Sequence, residues 1–201
     1  METPFEPLAE TVLQGPTPEV ARRLLGMFLV HEGPRGSRGG STVGRIVETE
    51  AYLADGDAAS HSARGKTARC ASMFLPAGHA YVYLIYGMHL CFNVVTAAEG
   101  VGEAVLIRAL EPVQGVELMV SRRGRPAGRG LCDGPGKLCQ AMGIEFAHDG
   151  CELARGPLRL AQPVAGSTPL ERVEVTPRIG ITKSAELPLR FRTRSSAGRA
   201  T

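Results

Sequence analysis

Tryptophan is absent from this chain of 201 residues, and aromatic residues make up only 5% of it. The chain has four tyrosines, yet three of them, Tyr81, Tyr83 and Tyr86, fall in one short stretch. Because aromatic side chains are so scarce elsewhere, this clustering indicates that the tyrosine rings of residues 80–95 act together.

Paired cysteines are also missing. The chain has five cysteines, an odd number, and no Cys-x-x-Cys motif. Neither a disulfide framework nor a zinc site follows from this spacing. We therefore expect reduced thiols, as in a cytosolic protein. The cysteines are Cys70, Cys91, Cys132, Cys139 and Cys151.

Long apolar runs are absent too. The longest, Leu24–His31, is far shorter than the roughly 20 residues that a membrane-spanning helix needs. The first residues, Met-Glu-Thr-Pro-Phe-Glu, are acidic and match neither a signal peptide nor a transit peptide. We expect no membrane partner and a cytoplasmic location, nucleoid-associated if the source is bacterial.

What the chain contains is sufficient for one folded domain. Its hydrophobic content of 43% supports a core, and its 25 glycines and 14 prolines favour many turns over a long helical bundle. Residues 1–60 carry 5 basic and 9 acidic side chains, so the remainder is basic, which is compatible with a polyanionic partner. We expect a single domain over residues 1–201, with an N-terminal arm at 1–16 and a flexible tail at 195–201.

A strand with charge on one face is predicted from Gly44 to Tyr52. Its β-branched residues favour a strand, and alternation places Ile46, Glu48, Glu50 and Tyr52 on one face. Two carboxylates and a ring on a shared surface are typical of a catalytic site. The alternative at this point is an edge strand with a solvated face.

A helix and a long polar segment flank this strand. Thr17-Pro18-Glu19 predicts a helix start with Thr17 as its cap, and the helix should end near Gly26. Residues 55–71 are irregular and polar, which in a compact domain is often functional. They carry one histidine that is either catalytic or on the surface, and three cations: His61, Arg64, Lys66 and Arg69.

A hairpin is predicted over residues 80–95, with its tip at Tyr86-Gly87-Met88. Alternation places Tyr81 and Tyr83 on one side and Tyr86 on the other. Large apolar side chains at a tip either fold back onto the core or insert into a stacked duplex. Asn93, in an apolar strand, needs a hydrogen-bond partner if it is buried.

Two further basic features follow the hairpin. A strand at 103–110 contains Arg108, which must pair with a carboxylate or a bound phosphate because an unpaired buried charge is costly. A helix is expected from Glu111-Pro112 to about Arg123. A second helix should open at residues 133–137, where free amides and Lys137 suit a phosphate, although an ordinary capped helix fits as well.

Taken together and in order, these segments resemble a known family, the 3-methyladenine DNA glycosylases of the alkyladenine (methylpurine) type. The resemblance extends over roughly Pro18 to Arg192, and its motifs are long and specific. They are Arg45-Ile-Val-Glu-Thr-Glu-Ala-Tyr52, Ser60-His61, Gly78-His-Ala-Tyr-Val-Tyr-Leu-Ile-Tyr-Gly-Met-His89, Asn93, Ile107-Arg-Ala-Leu-Glu-Pro112 and Gly134-Pro-Gly-Lys-Leu-Cys-Gln140.

The resemblance implies a single mixed α/β (α+β) domain around a curved, mainly antiparallel sheet with flanking helices. It implies a monofunctional DNA glycosylase that flips alkylated or deaminated purines out of duplex DNA and hydrolyses the N-glycosidic bond, starting base-excision repair. No AP lyase activity is expected, because no lysine is placed for Schiff-base chemistry. The partner would be double-stranded DNA containing damaged purines, the protein a monomer, and no cofactor or metal would be required.

The resemblance also implies roles for individual residues. Glu50 is similar to the carboxylate that activates water. The base pocket would consist of Tyr52, His61, Tyr83 and Asn93. The duplex wedge would be Tyr86 with Met88. Contacts to DNA and phosphate would come from Arg108, Lys137, Arg64, Lys66 and Arg69.

The chain departs from the family pattern at two places. Thr67-Ala68-Arg69-Cys70 replaces Thr-Pro-Arg-Asn, which should loosen the long loop, and the end of the chain lacks an aromatic residue that would contact DNA. Two other readings stay open. One is a non-catalytic nucleic-acid-binding module on the same scaffold, and the other is a metal-dependent nuclease using Glu48, Glu50 and Asp55 or Asp57.

Overall fold

The computed structural model describes residues 5–33, 40–164 and 172–193. Nine strands are found there: β1 Phe5–Pro7, β2 Phe28–His31, β3 Thr42–Tyr52, β4 Ala80–Ile85, β5 His89–Val95, β6 Ala104–Gln114, β7 Leu158–Pro163, β8 Val173–Thr176 and β9 Arg190–Thr193. The α-helices are α1 Thr17–Arg23, α2 Val116–Arg123 and α3 Pro135–Met142. Short 3-10 helices span Glu10–Leu13, His61–Arg64, Ala68–Phe74 and Phe146–His148.

The strands form one sheet in the order β1-β7-β2-β3-β6-β5-β4, with β9 pairing both β3 and β8. Every strand pair is antiparallel, so the predicted mixed α/β domain with a mainly antiparallel, curved sheet is confirmed. Within the described residues, none of the helices is both long and apolar enough to cross a bilayer.

Strand β3 is the centre of this sheet. Along one edge it pairs with β6 over almost its whole length. Along the other edge it pairs first with β2, at residues 42–45, and then with β9, at residues 48–50. The pairing register with β6 shifts on both sides of Glu48, which marks a bulge. Bulges re-aim side chains and are common beside active sites, so the predicted strict alternation from Ile46 to Glu48 does not hold.

The main core lies where α1, α2 and α3 pack on the sheet. Its members include Leu24, Ile46, Phe92 and Met119, all without exposed surface. Thr49 points toward α1, because its hydroxyl donates to the carbonyl of Ala21 at 2.9 Å. This packing fixes β3 rigidly against the helices.

The expected cap of α1 was wrong. Thr17 does not cap α1, because it is the first helical residue and its hydroxyl is instead within hydrogen-bond distance of Thr96 and Glu103, at 2.7 and 2.6 Å. The expected N-terminal arm contributes strand β1, which pairs with β7. The expected tail at 195–201 lies outside the described residues.

The helix expected from Glu111 begins later. Strand β6 continues through Glu111, which bonds to Arg45 across the pair with β3, and ends at Gln114. Gly115 then takes a left-handed conformation, with φ 72°, and precedes α2. The backbone pairing with β3 outweighed the local helix signal of Glu111-Pro112.

A glycine before β6 tests how tightly the 3-10 helices pack. A Cβ on Gly102 would lie 2.5 Å from the Cβ of Ser62 and 2.7 Å from Cζ of Phe74. We expect Gly102→Ala to lower the free energy of unfolding by about 1–3 kcal/mol, measured in urea, because overpacking forces neighbours to shift. Gly40→Ala is the control, since its Cβ meets no atom within 4 Å. Equal effects at both positions would contradict this packing.

Candidate active site

One cavity, of about 730 Å³, is bounded by residues from eight parts of the chain. These are β3, the 3-10 helices at His61 and at Met73, the β4–β5 hairpin, β6, the end of α2, the start of α3 and the segment after β8. The predicted site residues among its lining are Tyr52, His61, Tyr83, Tyr86, Asn93, Arg108 and Lys137. The fold therefore gathers side chains that are spread over more than half of the sequence.

Glu50 lies directly behind this lining. Its side chain has no exposed surface. One oxygen, Oε2, accepts from the Tyr52 hydroxyl at 3.0 Å and from Arg108 Nη1 at 3.1 Å. The other, Oε1, accepts from the backbone amide of Ile179 at 3.0 Å. Three donors thus fix a buried carboxylate whose immediate neighbours line the cavity.

Arg108 bridges the two acidic residues of β3. It contacts Glu50, and its Nε donates to Glu48 Oε1 at 3.0 Å. The same oxygen of Glu48 accepts from Arg190 Nε at 2.7 Å. The prediction that a carboxylate on a neighbouring strand pairs with Arg108 is confirmed.

Three rings form one wall of the cavity. Tyr81 and Tyr83 are stacked at 5.3 Å between centroids, and His61 meets Tyr83 edge-on at 4.6 Å. Burial, with the nearby charge of Arg69, lowers the pKa of His61, and burial raises the pKa of Tyr81. The Tyr81 hydroxyl therefore stays protonated, and it lies within hydrogen-bond distance of Nδ1 of a neutral His61, 2.7 Å away.

Asn93 lies on β5, below these rings. It is 3% exposed and its amide nitrogen donates to the carbonyl of Tyr81 at 3.0 Å. The expected partner for this buried amide is therefore present. With one amide hydrogen bonded to the backbone, the orientation of Asn93 in the cavity wall is fixed.

The hairpin tip is as predicted, because Ile85 pairs with His89 around Tyr86-Gly87-Met88. Tyr86 and Met88 are 80% and 71% exposed, so the tip does not fold back onto the core. Tyr86 has a φ of 53°, which takes it off the strand path. Tyr86 is among the residues that line the cavity with Tyr81 and Tyr83.

The predicted DNA-contacting cations lie at different distances from the cavity. Lys137 lines it and pairs with Asp133 at 2.7 Å. Arg69 lies over the outer face of the ring system, 5.8 Å from the Tyr83 centroid, and Lys66 lies 6.0 Å from that of Phe74. Arg64 is exposed, and neither it nor Lys66 nor Arg69 is among the lining residues.

Cys70 anchors one turn of the long loop. Cys70 is 1% exposed and packs in a cluster with Met73 and Tyr81. Its sulfur lies 3.4 Å from the amide of Thr67 and 3.1 Å from the hydroxyl of the same residue. A thiol therefore closes this turn of the loop, and the looser loop expected from the family pattern stays a prediction.

Sequence reasoning missed the segment between β8 and β9. Arg178 and Asp57, both without exposed side-chain surface, form two hydrogen bonds of 2.6 Å. The next residue, Ile179, supplies the amide that binds Glu50, and the Arg178 guanidinium lies 4.6 Å from the Tyr52 centroid. The only signal was an arginine inside the Pro- and Gly-flanked run Pro177-Arg-Ile-Gly180.

Three of the four carboxylates proposed for a metal-dependent nuclease, Glu48, Glu50 and Asp57, have arginine partners. Glu48 and Glu50 share Arg108, and Asp57 holds Arg178. Burial would raise the pKa of Asp57, but hydrogen bonds from Arg178 and from the backbone lower it overall. No group of three His, Cys, Asp or Glu side chains in the described residues is arranged to hold a metal ion.

Comparison with known proteins agrees with this geometry. The family model described as Methylpurine-DNA glycosylase (MPG) matches residues 11–197. A protein of Methanoculleus marisnigri named "Putative 3-methyladenine DNA glycosylase" is 55% identical over 177 residues, which cover 87% of this chain and 88% of the relative. A protein of the same name from Mesorhizobium japonicum is 47% identical over 94% of this chain and 88% of the relative. Another, from Chlorobaculum tepidum, is 47% identical over 87% of this chain and 81% of the relative. The chain therefore belongs to the methylpurine-DNA glycosylase family.

Proposed function

We propose that this protein is a monofunctional DNA glycosylase that releases alkylated or deaminated purines of the 3-methyladenine type from double-stranded DNA, the first step of base-excision repair. The observation that carries the proposal is the Glu50 carboxylate, fixed by three donors directly behind an aromatic cavity. The name of the relatives agrees with this substrate class.

The cavity is suited to a flipped purine. A glycosidic bond inside stacked DNA is out of reach, so the nucleotide must leave the stack at a cost of roughly a few kcal/mol. Stacking of a base on an aromatic ring is worth about 1–3 kcal/mol, and Tyr52, His61 and Tyr83 offer such surfaces. An alkylated purine is cationic, so electron-rich tyrosine rings also attract its charge.

Glu50 is the proposed general base. An ionised carboxylate has about four acceptor positions, of which the described residues use three, two on Oε2 and one on Oε1. The remaining position on Oε1 would accept a proton from the attacking water. Because Glu50 is covered in the free protein, a small displacement of Tyr52, Arg108 or Ile179 on nucleotide binding would admit this water.

Hydrolysis at a cationic base needs one carboxylate only. The damaged base leaves readily, and the transition state resembles the oxocarbenium ion of other glycoside hydrolyses. Glu50 would stabilise that cation and deprotonate the water. Among the described lining residues the one lysine, Lys137, is paired with Asp133, which favours water over an amine nucleophile and hence no AP lyase step.

DNA would bind across the open side of the cavity. Tyr86 and Met88, exposed at the hairpin tip, would fill the gap left by the flipped nucleotide. Contacts to the DNA phosphate backbone would come from Lys137, Arg64, Lys66 and Arg69. The protein would bind the duplex as a monomer. A non-catalytic binding module with the same surface is the second candidate, and loss of base release on changing Glu50 separates the two.

Glu50→Gln is expected to slow base release strongly while DNA binding is kept. Loss of a general base lowers rates about 10²- to 10⁴-fold. The measurement is single-turnover release of an alkylated or deaminated adenine from duplex DNA in chelator, with abasic sites revealed by hot alkali. Glu174→Gln, which removes the Glu174–Arg192 ion pair on β8 and β9, is the matched control. Equal release by wild type and Glu50→Gln would contradict the role of Glu50.

Tyr86→Ala is expected to weaken lesion-duplex binding about 5- to 150-fold, the equivalent of about 1–3 kcal/mol of stacking. The dissociation constant is measured by fluorescence anisotropy. Phe146→Ala is the control, because Phe146 is 63% exposed and is not a lining residue of the cavity. If both variants bind as wild type does, Tyr86 is not a wedge.

Acidification is expected to slow the release of a cationic base through His61. Its lowered pKa keeps the imidazole neutral at neutral pH, and protonation below that pKa would place a positive charge beside a cationic purine. The ratio of wild-type to His61→Gln single-turnover rates should therefore fall as pH decreases through the range below 6.5. A ratio that is constant with pH would show that His61 does not titrate in the pocket.

A further inference from the structure

A buried ion pair joins two loops that are far apart in sequence. Asp57 follows β3, and Arg178 lies in the segment 177–189 between β8 and β9. Arg178 Nη1 and Nη2 each donate to one oxygen of Asp57 at 2.6 Å, and neither side chain is exposed. This bidentate geometry is directional as well as strong, so it fixes the position of the Arg178 backbone relative to β3.

Further hydrogen bonds tie the same two loops together. Arg178 Nη1 also donates to the carbonyl of Ala51 at 2.9 Å. The carbonyl of Ser184 accepts a hydrogen bond from Arg178 Nη2, and the Ser184 hydroxyl accepts one from the backbone amide of Ala58. Ser184 has a φ of 46°, an uncommon conformation for a residue with a side chain. The segment 177–189 is therefore held by its two ends and by this cluster.

Two of the three donors to Glu50 depend on this arrangement. The amide of Ile179, adjacent to Arg178, donates to Glu50 Oε1. The ring of Tyr52, whose hydroxyl donates to Glu50 Oε2, lies against the Arg178 guanidinium at 4.6 Å. Only Arg108 approaches Glu50 independently, from β6.

Stability alone does not account for this pair. Replacing a buried ion pair with well-packed apolar residues is often neutral or stabilising, because burial of both charges is costly. Arg178 Nε is buried without a hydrogen-bond partner among the described residues, which adds to that cost. An arrangement with such a cost is expected where it holds a functional group in place.

We propose that Asp57 and Arg178 are positioning residues that set the orientation of the Glu50 carboxylate by fixing the Ile179 amide and the Tyr52 ring. The proposal rests on the proposed glycosylase function. It predicts that breaking the pair slows base release while DNA affinity is kept, because neither side chain is exposed to bind DNA. Glu50 would still be present, but held by fewer donors.

The test compares Asp57→Asn, which removes the charge and keeps the shape, with Arg178→Lys, which keeps the charge and loses the bidentate contact. We expect single-turnover rates at saturating enzyme to fall about 10- to 100-fold in both, the range that small misplacements cause. The dissociation constant for lesion DNA should stay within about twofold of wild type. Glu174→Gln, which breaks a different ion pair on β8 and β9, should leave both quantities unchanged.

A second measurement separates positioning from general destabilisation. Hydrogen exchange of the Ile179 amide, followed by NMR, should be at least about tenfold faster in both variants, while amides of β2 and β7 keep their wild-type protection. Unchanged base-release rates in both variants would overturn the proposal. It would also be overturned if the loss of base-release rate matched the unfolded fraction of the variant while the Ile179 amide stayed protected from exchange. If wild type itself releases no base, the proposed function fails, and the exchange data alone decide whether the pair positions Ile179.

Discussion

The burial of the Glu50 carboxylate among three donors is the constraint on which the site depends. A carboxylate without exposed surface is tolerated only when its oxygens are hydrogen-bonded. Its donors come from β3 itself, from β6 and from the segment before β9. The sheet must therefore close around Glu50 from both edges of β3, and the change of partner from β2 to β9 beside the bulge at Glu48 accomplishes this.

The aromatic wall depends on the same strand. Tyr52 is two residues after Glu50, and the hairpin of β4 and β5 reaches β3 through β6. The hairpin carries the stacked pair Tyr81 and Tyr83 on one wall of the cavity and Tyr86 at the tip. A buried carboxylate, the rings of the cavity wall and an exposed ring are thus fixed relative to one another by one continuous hydrogen-bonded sheet.

The sequence predicted those helices and strands whose conformation is determined by residues close together in the chain. The β-branched run of β3, the two apolar runs of the hairpin and the Gly-Pro start of α3 each have their own sequence signal. Glu111-Pro112 was wrongly assigned to a helix because its strand conformation comes from pairing with Gly44 and Arg45, distant in sequence. Thr17 was wrongly assigned as a cap because its hydroxyl is engaged by Thr96 and Glu103.

The site residues divide in the same way into those that the sequence could predict and those that it could not. Glu50, Tyr52, His61 and Tyr83 were predicted because a strand pattern and family motifs mark them. Arg178 was missed because its role depends on a contact with Asp57, 121 positions away, and on a backbone amide that has no side-chain signature. Residues that act through backbone atoms of an irregular segment have no periodic sequence pattern, so they can be identified only from the folded structure.

We propose that Glu50 meets the sugar of a nucleotide flipped into the aromatic cavity. A crystal structure of the protein with duplex DNA carrying a 2′-fluorinated damaged adenosine, whose N-glycosidic bond is cleaved slowly, tests this directly. We expect the base between Tyr52, His61 and Tyr83, Tyr86 in the duplex gap, and a water between Glu50 Oε1 and the glycosidic carbon. A base still stacked in the duplex, or a Glu50 still sealed behind Tyr52, Arg108 and Ile179 with the nucleotide bound, would contradict it.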